Sequence, residues 1–171
     1  MHTYNADIHW TCDNAHDFTS KRYSRAHTWA FDGGVTVPAS SSPHSVRVPY
    51  SNPANVDPEE AFVAALSSCH MLTFLYLASL DGYAVISYTD SASGIMEKIN
   101  NGKEAVTQVT LRPHVVFTGA KFPTDAVLDD LHHRAHEDCY LANSVKTAIA
   151  VQGRWEHALN ASKVGEASAF E

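Results

Sequence analysis

The sequence predicts an α+β protein, because segments typical of strands lie on both sides of a long apolar helix. Residues 4–11 and 23–31 are strand candidates in the first third of the chain, and a Gly-containing turn at residues 32–34 follows the second. The helix should begin at Pro58, directly after its N-cap Asp57, and end near residues 81–82. This order of elements places the long helix at the centre of the fold.

The helix is followed by more strand candidates. Residues 83–90 and 95–99 read as strands, residues 100–102 (Asn-Asn-Gly) as a hairpin turn, and residues 105–118 alternate as one long strand. Residues 147–156 read as the final strand. The pattern predicts a meander after the central helix.

A second helix precedes the final strand. Thr124 can cap its N-terminus, and Leu128, Leu131, Ala135 and Cys139 recur at helical spacing on one face. We expect this helix to break near Cys139.

The start of the central helix has a strong signal. Asp57 is placed as the N-cap, Pro58 takes the first helical position, and Glu60 completes a capping box. The preceding residues, 37–56, are rich in Pro and Ser and predict a long connection. The sequence leaves open whether this segment is a functional loop or a flexible surface loop.

Composition limits the classes of function. The chain has 171 residues, a formal charge of -7 and a pI near 5.8, which argues against a nucleic-acid partner. The N-terminus lacks the features of a signal peptide, and three cysteines predict free thiols in a reducing cytoplasm. We expect one domain over residues 1–157 and a mobile tail over residues 158–171.

Residues 61–80 contain no Asp, Glu, Lys or Arg and are long enough to span a bilayer. Polar residues at the middle of the segment and acidic flanks without a nearby Lys or Arg oppose that interpretation. A helix that is apolar all round is buried in a protein core or in a membrane. We expect a core helix and no membrane partner.

Two residues invite a chemical interpretation before any resemblance is considered. Cys69 lies inside the central helix. The sequence leaves open whether its side chain is a small buried hydrophobic group or a reactive thiol. Because Cys69 is far from the helix N-terminus, a stabilised thiolate would need a nearby cation. Arg25 shares one predicted strand face with aromatic residues, so it is either stacked on them or turned towards an anion.

The segment from Asp57 to Cys69, DPEEAFVAALSSC, resembles the helix of the OsmC/Ohr family that joins a PEE or PEQ motif to a cysteine. The spacing of ten residues matches Glu59, and Cys139, seventy residues after Cys69, matches the second family cysteine. The order of strands and helices is similar over about residues 3–156. The resemblance implies an OsmC-like fold, with two central helices wrapped by curved antiparallel sheets in an intertwined homodimer.

The resemblance also implies roles for four residues. Cys69 matches the peroxidatic thiol, Cys139 the resolving thiol and Glu59 the acidic residue, and Arg25 is the candidate for the thiolate-binding arginine. The surroundings of Arg25 are less rich in glycine than in typical members, and Tyr140 stands where many members have proline.

The implied function is thiol-dependent reduction of organic hydroperoxides in oxidative stress defence. Cys69 would become a sulfenic acid, condense with Cys139 to a disulfide, and be regenerated by an external dithiol such as a lipoyl-type reductant. No metal or organic cofactor is expected. Since Glu59 and Cys69 stand roughly 15 Å apart on one straight helix, a Glu59 that serves Arg25 beside Cys69 should come from the other subunit.

Two other classes of function remain open. His132, His136 and Cys139, at i, i+4 and i+7 of the second helix, could line a metal-binding face. A non-catalytic protein could instead hold a hydrophobic ligand in the apolar cleft of the dimer. Cys12 has no matching role in the family and is interpreted as structural.

Overall fold

The structure is a computed structural model and describes residues 1–158. The chain divides into two compact units, an N-terminal unit of Met1–Phe62 and a C-terminal unit that begins at Val63. Apart from Ala158, the predicted tail lies outside the described residues.

The described residues form nine strands and three α-helices, which confirms the α+β class. In chain order these elements are β1 (Ala6–His9), α1 (Ala15–Thr19), β2 (His27–Phe31), β3 (Thr36–Ala39), α2 (Pro58–Leu80), β4 (Ala84–Asp90), β5 (Ser93–Lys98), β6 (Glu104–Leu111), β7 (Pro113–Thr118), α3 (Asp125–Asp138), β8 (Ala148–Val151) and β9 (Arg154–His157).

The N-terminal unit contains an antiparallel sheet in the order β1-β2-β3. Strand β2 is shorter than predicted and starts at His27, so the prediction that Arg25 belongs to a strand is wrong. The backbone N–H of Arg25 donates to the loop carbonyl of Tyr50 at 2.9 Å, which takes it out of the sheet ladder. The predicted loop over residues 37–56 begins later, because β3 continues to Ala39.

Helix α2 starts as predicted, with a reciprocal capping box. The N–H of Glu60 donates to Oδ1 of Asp57 at 2.8 Å, and the N–H of Asp57 donates to Oε2 of Glu60 at 3.2 Å. The helix ends at Leu80, and Gly82 just beyond it has a φ of 76°, the left-handed conformation that favours glycine after a helix.

Among the described residues, α2 is the one helix with the length and apolar composition to cross a membrane. It buries five residues in the structure: Leu66, His70, Phe74, Leu77 and Ala78. Leu72, Tyr76 and Leu80 remain exposed on its other side.

The C-terminal unit contains two three-stranded sheets, in the orders β4-β7-β9 and β5-β6-β8. The single long strand predicted over residues 105–118 is wrong, since it divides at Arg112 into β6 and β7, which belong to different sheets. Two local features break the ladder: Pro113 has no N–H to donate, and the N–H of Arg112 donates to Oδ1 of Asp90 at 2.6 Å.

The predicted final strand divides in the same way. Strand β8 pairs parallel with β6, and β9 pairs parallel with β7, with residues 152–153 between them. The sequence pattern predicted antiparallel neighbours and did not predict these two parallel pairings. Each sheet therefore receives its third strand from the C-terminal end of the described chain.

Helix α3 packs against α2 and the β4-β7-β9 sheet within the C-terminal unit. As predicted, Thr124 caps it, and the N–H of Val127 donates to Thr124 Oγ1 at 3.3 Å. The helix ends at its C-cap residue, Cys139. The core shared by these elements consists of Phe74, Leu77, Ala78, Val115, Phe117, Leu128, Leu131 and Ala135.

Candidate active site

The C-terminal unit brings Cys69 and Cys139 together. Their Sγ atoms are 2.8 Å apart, and both thiols are free. Cys69 lies half-buried in α2, whereas Cys139 is only 1% exposed at the C-terminal end of α3. Two cysteines seventy residues apart in sequence thus lie closer than the van der Waals contact distance of two sulfurs.

The environment of Cys139 favours its protonated form. Burial raises the pKa of the Cys139 thiol, and the hydrogen bond to Cys69 raises it further. The S–H of Cys139 donates to the sulfur of Cys69, and the N–H of Ala142 donates to Cys139 Sγ at 3.5 Å. Cys139 therefore carries a proton while Cys69 accepts a hydrogen bond.

The turn after Cys139 is held by Asn143. Its side-chain amide donates to the carbonyl oxygens of Glu137 and Cys139, at 2.7 and 3.1 Å. These bonds satisfy carbonyl groups that the end of α3 leaves without helical partners. Tyr140, at the position where many members of the OsmC/Ohr family have proline, is 81% exposed.

The accessible side of Cys69 continues into an apolar stripe of α2. Leu72 and Tyr76 follow Cys69 at i+3 and i+7 and are 61% and 63% exposed. On the turn before Cys69, Ser67 Oγ donates to Oδ2 of Asp90 at 2.5 Å, which ties this part of α2 to the end of β4. Approach to the Cys69 sulfur from this side crosses an apolar surface.

Two buried histidines lie on the same two helices as the cysteines. His70 Nε2 and His132 Nδ1 are 3.0 Å apart, and the residues are 1% and 4% exposed. Burial lowers the pKa of His70 to about 4, with a further decrease from His136 that Asp90 opposes. Burial also lowers the pKa of His132 to about 3, with a smaller contribution from His70. Both rings are neutral at pH 7.

The metal-binding face considered as an alternative for α3 is not formed among the described residues. His132 is hydrogen-bonded to His70, and Cys139 contacts Cys69. In residues 1–158, no group of three or more His, Cys, Asp or Glu side chains is arranged to hold a metal ion. The structure therefore gives the metal-binding alternative for His132, His136 and Cys139 no support.

Arg25 lies in the N-terminal unit with its guanidinium stacked on an aromatic ring. The guanidinium carbon is 3.8 Å from the ring centroid of Tyr23, and Nη1 donates to the carbonyl oxygens of Tyr23 and Lys21 at 2.5 and 3.3 Å. No ion pair involving Arg25 occurs within residues 1–158, so Glu59 of the same chain does not orient it. The roles of Arg25 and Glu59 at the Cys69 thiol stay predictions.

The N-terminal unit also contains an open pocket with a volume of about 350 Å³. Trp10, Phe18 and Tyr23 form a mutually contacting aromatic wall, with ring centroids 4.9 to 5.7 Å apart. The full lining is Ile8, Trp10, Phe18, Tyr23, Arg25, His27, Ser40, Ser41 and Pro58. Sequence reasoning missed this pocket, because its residues come from separate segments without a common periodicity.

Two further residues of the N-terminal unit, His27 and Cys12, have local contacts. His27 Nε2 accepts a hydrogen bond from Trp29 Nε1 at 2.9 Å, while its Nδ1 lies 2.8 Å from the Arg25 carbonyl oxygen. Cys12 is exposed, and its thiol donates to the carbonyl of Asn14 at 3.3 Å. The His70–His132 contact was not predicted, because the sequence does not indicate which faces of α2 and α3 pack together.

Comparison with solved structures gives the same architecture. An OsmC-like protein of unknown function from Vibrio cholerae is 54% identical, with a TM-score of 0.87 over 90% of this chain and 100% of that one. An organic hydroperoxide resistance protein from Elizabethkingia anophelis is 18% identical, with a TM-score of 0.63 over 92% and 97% of the two chains. An organic hydroperoxide resistance protein from Bacillus subtilis is 15% identical, with a TM-score of 0.57 over 91% of this chain and 98% of that one.

No curated protein matches the sequence significantly. The family model of the OsmC-like proteins matches residues 51–153, a segment that includes α2, α3 and both cysteines of the candidate site. Together with the Vibrio cholerae structure, this match shows that the chain belongs to the OsmC-like protein family.

Proposed function

We propose that this protein is a thiol-dependent reductase of organic hydroperoxides that uses Cys69 and Cys139. The observation that carries the proposal is the 2.8 Å approach of the two sulfurs. Structural relatives of low identity that are organic hydroperoxide resistance proteins add support at the level of the family.

In the first step, the Cys69 thiolate attacks the terminal oxygen of the hydroperoxide. The O–O bond breaks, the alcohol leaves after taking up one proton, and Cys69 becomes a sulfenic acid. In the second step, Cys139 attacks the Cys69 sulfur, the S–O bond breaks, and water leaves as the disulfide forms. An external dithiol, which we expect to be of the lipoyl type, then reduces the disulfide and is itself oxidised.

The assignment of roles within the pair follows from burial. Cys69 is the more accessible thiol, so peroxide reaches it first. Cys139 is buried and holds its proton, because burial and the Cys69 hydrogen bond both raise the pKa of its thiol. A protonated Cys139 is a poor nucleophile towards peroxide, but its sulfur is already placed to attack the Cys69 sulfenic acid.

The exposed stripe of α2 supports two further parts of the proposal. Leu72, Tyr76 and Leu80 are each more than 60% exposed in one chain, which is a large apolar area for a single helix face. We propose that a second copy of the chain covers part of it in a homodimer, and that the remainder favours an organic hydroperoxide over hydrogen peroxide. In this dimer, Arg25 would stabilise the thiolate, and Glu59 of the second copy would orient Arg25.

The direct test is peroxide consumption in the presence of a dithiol. The native protein should consume an organic hydroperoxide with loss of two thiols per chain, and Cys69→Ser should lose the activity. Cys12→Ser is the matched control, since Cys12 is a third free thiol without a place in the reaction. Native protein whose thiols do not react with organic hydroperoxides would overturn the proposal.

The pocket of the N-terminal unit favours a second candidate function, the binding of a hydrophobic ligand. Its volume of about 350 Å³ suits a small organic molecule, and its wall is aromatic. The guanidinium of Arg25 at this pocket would favour a ligand with an anionic group. Tight binding of such a ligand by protein with inert thiols would support this candidate over the reductase.

A further inference from the structure

The His70–His132 pair joins the two helices that carry the cysteines. His70 follows Cys69 directly on α2, and His132 lies seven residues before Cys139 on α3. At a rise of about 1.5 Å per residue, the imidazole contact on α3 is roughly 10 Å from Cys139 along the helix axis. Besides their shared apolar core, the two helices therefore have two polar contacts, the sulfur pair and the imidazole pair.

Neighbouring residues fix the position of the His132 ring. One face stacks on Phe74, with ring centroids 4.4 Å apart and an interplanar angle of 26°. Gly153 lies against the ring as well, and a side-chain carbon at this position would overlap the ring atoms. The His70 ring is nearly parallel to the His132 ring, at 16° and 5.3 Å between centroids. These contacts leave the pair little freedom to shift.

The His70–His132 pair is not the arrangement expected if these residues only stabilised the core. His70 Nδ1 and His132 Nε2 are buried and have no hydrogen-bond partner among the described residues. Buried polar atoms without partners destabilise a core, and two apolar side chains of similar size would avoid this. Unlike an apolar contact, however, a hydrogen bond has a narrow range of distance and angle. It can therefore fix how far α2 and α3 slide past one another.

We propose that His70 and His132 are positioning residues, which hold α2 and α3 in the register that brings the sulfurs of Cys69 and Cys139 into contact. This inference rests on the proposed function for its biological purpose, because a resolving step needs the two sulfurs in reach of each other. Disulfide formation is sensitive to that register, since the two Cα atoms must lie within roughly 7 Å.

The test compares two double variants. His70→Leu/His132→Leu removes the hydrogen bond and both unpaired nitrogens, whereas His70→Gln/His132→Asn keeps an amide at each bonding position. The matched control is His133→Leu, on the exposed side of α3. The measured quantity is the equilibrium between the Cys69–Cys139 disulfide and the dithiol in buffers of oxidised and reduced dithiothreitol, together with the melting temperature.

We expect the leucine pair to lower the equilibrium constant for disulfide formation by about tenfold or more, because a disulfide forced away from its preferred geometry is strained and more easily reduced. Its melting temperature should stay the same or rise. The Gln/Asn pair and the control should stay close to the native equilibrium. A leucine pair with the native equilibrium would overturn the proposal.

If the leucine pair does not fold, the Gln/Asn pair decides, and a tenfold loss in that variant would equally overturn the proposal. The exchange with dithiothreitol needs no peroxide. Native protein that forms the disulfide in this buffer but ignores hydroperoxides would therefore defeat the proposed function and leave the positioning role standing.

Discussion

Cys139 donates its thiol hydrogen to the sulfur of Cys69 over 2.8 Å, from a position with 1% exposure. The two cysteines are therefore not equivalent, although the spacing in sequence gives no indication of their difference. In the proposed reaction, Cys69 meets the hydroperoxide and Cys139 reacts with the sulfenic acid that Cys69 becomes. The first prediction below follows from this asymmetry.

Replacing Cys139 should separate the two steps of the proposed reaction. In Cys139→Ser, Cys69 still reacts once with an organic hydroperoxide, but its sulfenic acid has no thiol to condense with. We expect the sulfenic acid to accumulate, and a dimedone adduct on Cys69 measured by mass spectrometry would detect it. An equal amount of adduct in the native protein would contradict the resolving role of Cys139.

The buried histidines predict a loss of stability in acid. Their pKa values in the folded protein, about 4 for His70 and about 3 for His132, lie below the ordinary value of 6.5. The unfolded chain therefore binds more protons as the pH falls below 6.5, and the free energy of unfolding decreases by up to about 1.4 kcal/mol per pH unit for each histidine. Below the folded pKa values this decrease stops.

Urea unfolding at pH 7, 5.5 and 4.5 measures this dependence. The variant His70→Leu/His132→Leu should lose the part of the slope that the pair contributes, whereas His133→Leu should keep it. The same slope in all three proteins would show that other groups dominate the acid response.

Gly153 should tolerate no side chain without a loss of stability. A Cβ at this position overlaps the His132 ring, which Phe74 stacks on from one face. We expect Gly153→Ala to lower the free energy of unfolding by about 1 to 3 kcal/mol, as overpacking of a core does. Gly33→Ala is the control, since nothing lies within 4 Å of its added carbon, and its stability should change little.

The apolar stripe of α2 predicts the oligomeric state. A Glu in place of Leu72 or Tyr76 would put a charge into the surface that we expect a second copy to cover. Sedimentation should then show a dimer for the native protein and a monomer for each variant, with His133→Glu as a dimeric control. A native monomer would contradict the proposed assembly.

Local signals predicted much of the fold. The capping box of Asp57 and Glu60, the cap at Thr124 and the end of α3 at Cys139 all depend on residues close in sequence, and all are confirmed. The wrong predictions concern contacts between residues that are far apart in the sequence. Arg25 has a strand-like sequence around it, but its N–H bonds to Tyr50, which no local pattern indicates.

The candidate site shows the same division. Cys69 and Cys139 were predicted through the family resemblance, and the structure places their sulfurs in contact. The His70–His132 pair was missed, because each histidine looks like an isolated polar residue until α2 and α3 are packed together. Its pairing depends on the crossing of two helices, which the periodicity of either helix alone does not specify.

Each sheet of the C-terminal unit is completed by a strand from near the end of the described residues. Strands β8 and β9 provide the third strand of each sheet, and they pair with strands that lie about forty residues earlier in the chain. Without β8 and β9, β6 and β7 would each expose an edge with unpaired backbone groups, and such edges are prone to join other chains. Pairing with β8 and β9 therefore replaces the open edges of an eight-residue and a six-residue strand with those of two four-residue strands, which offer another chain less backbone to pair with.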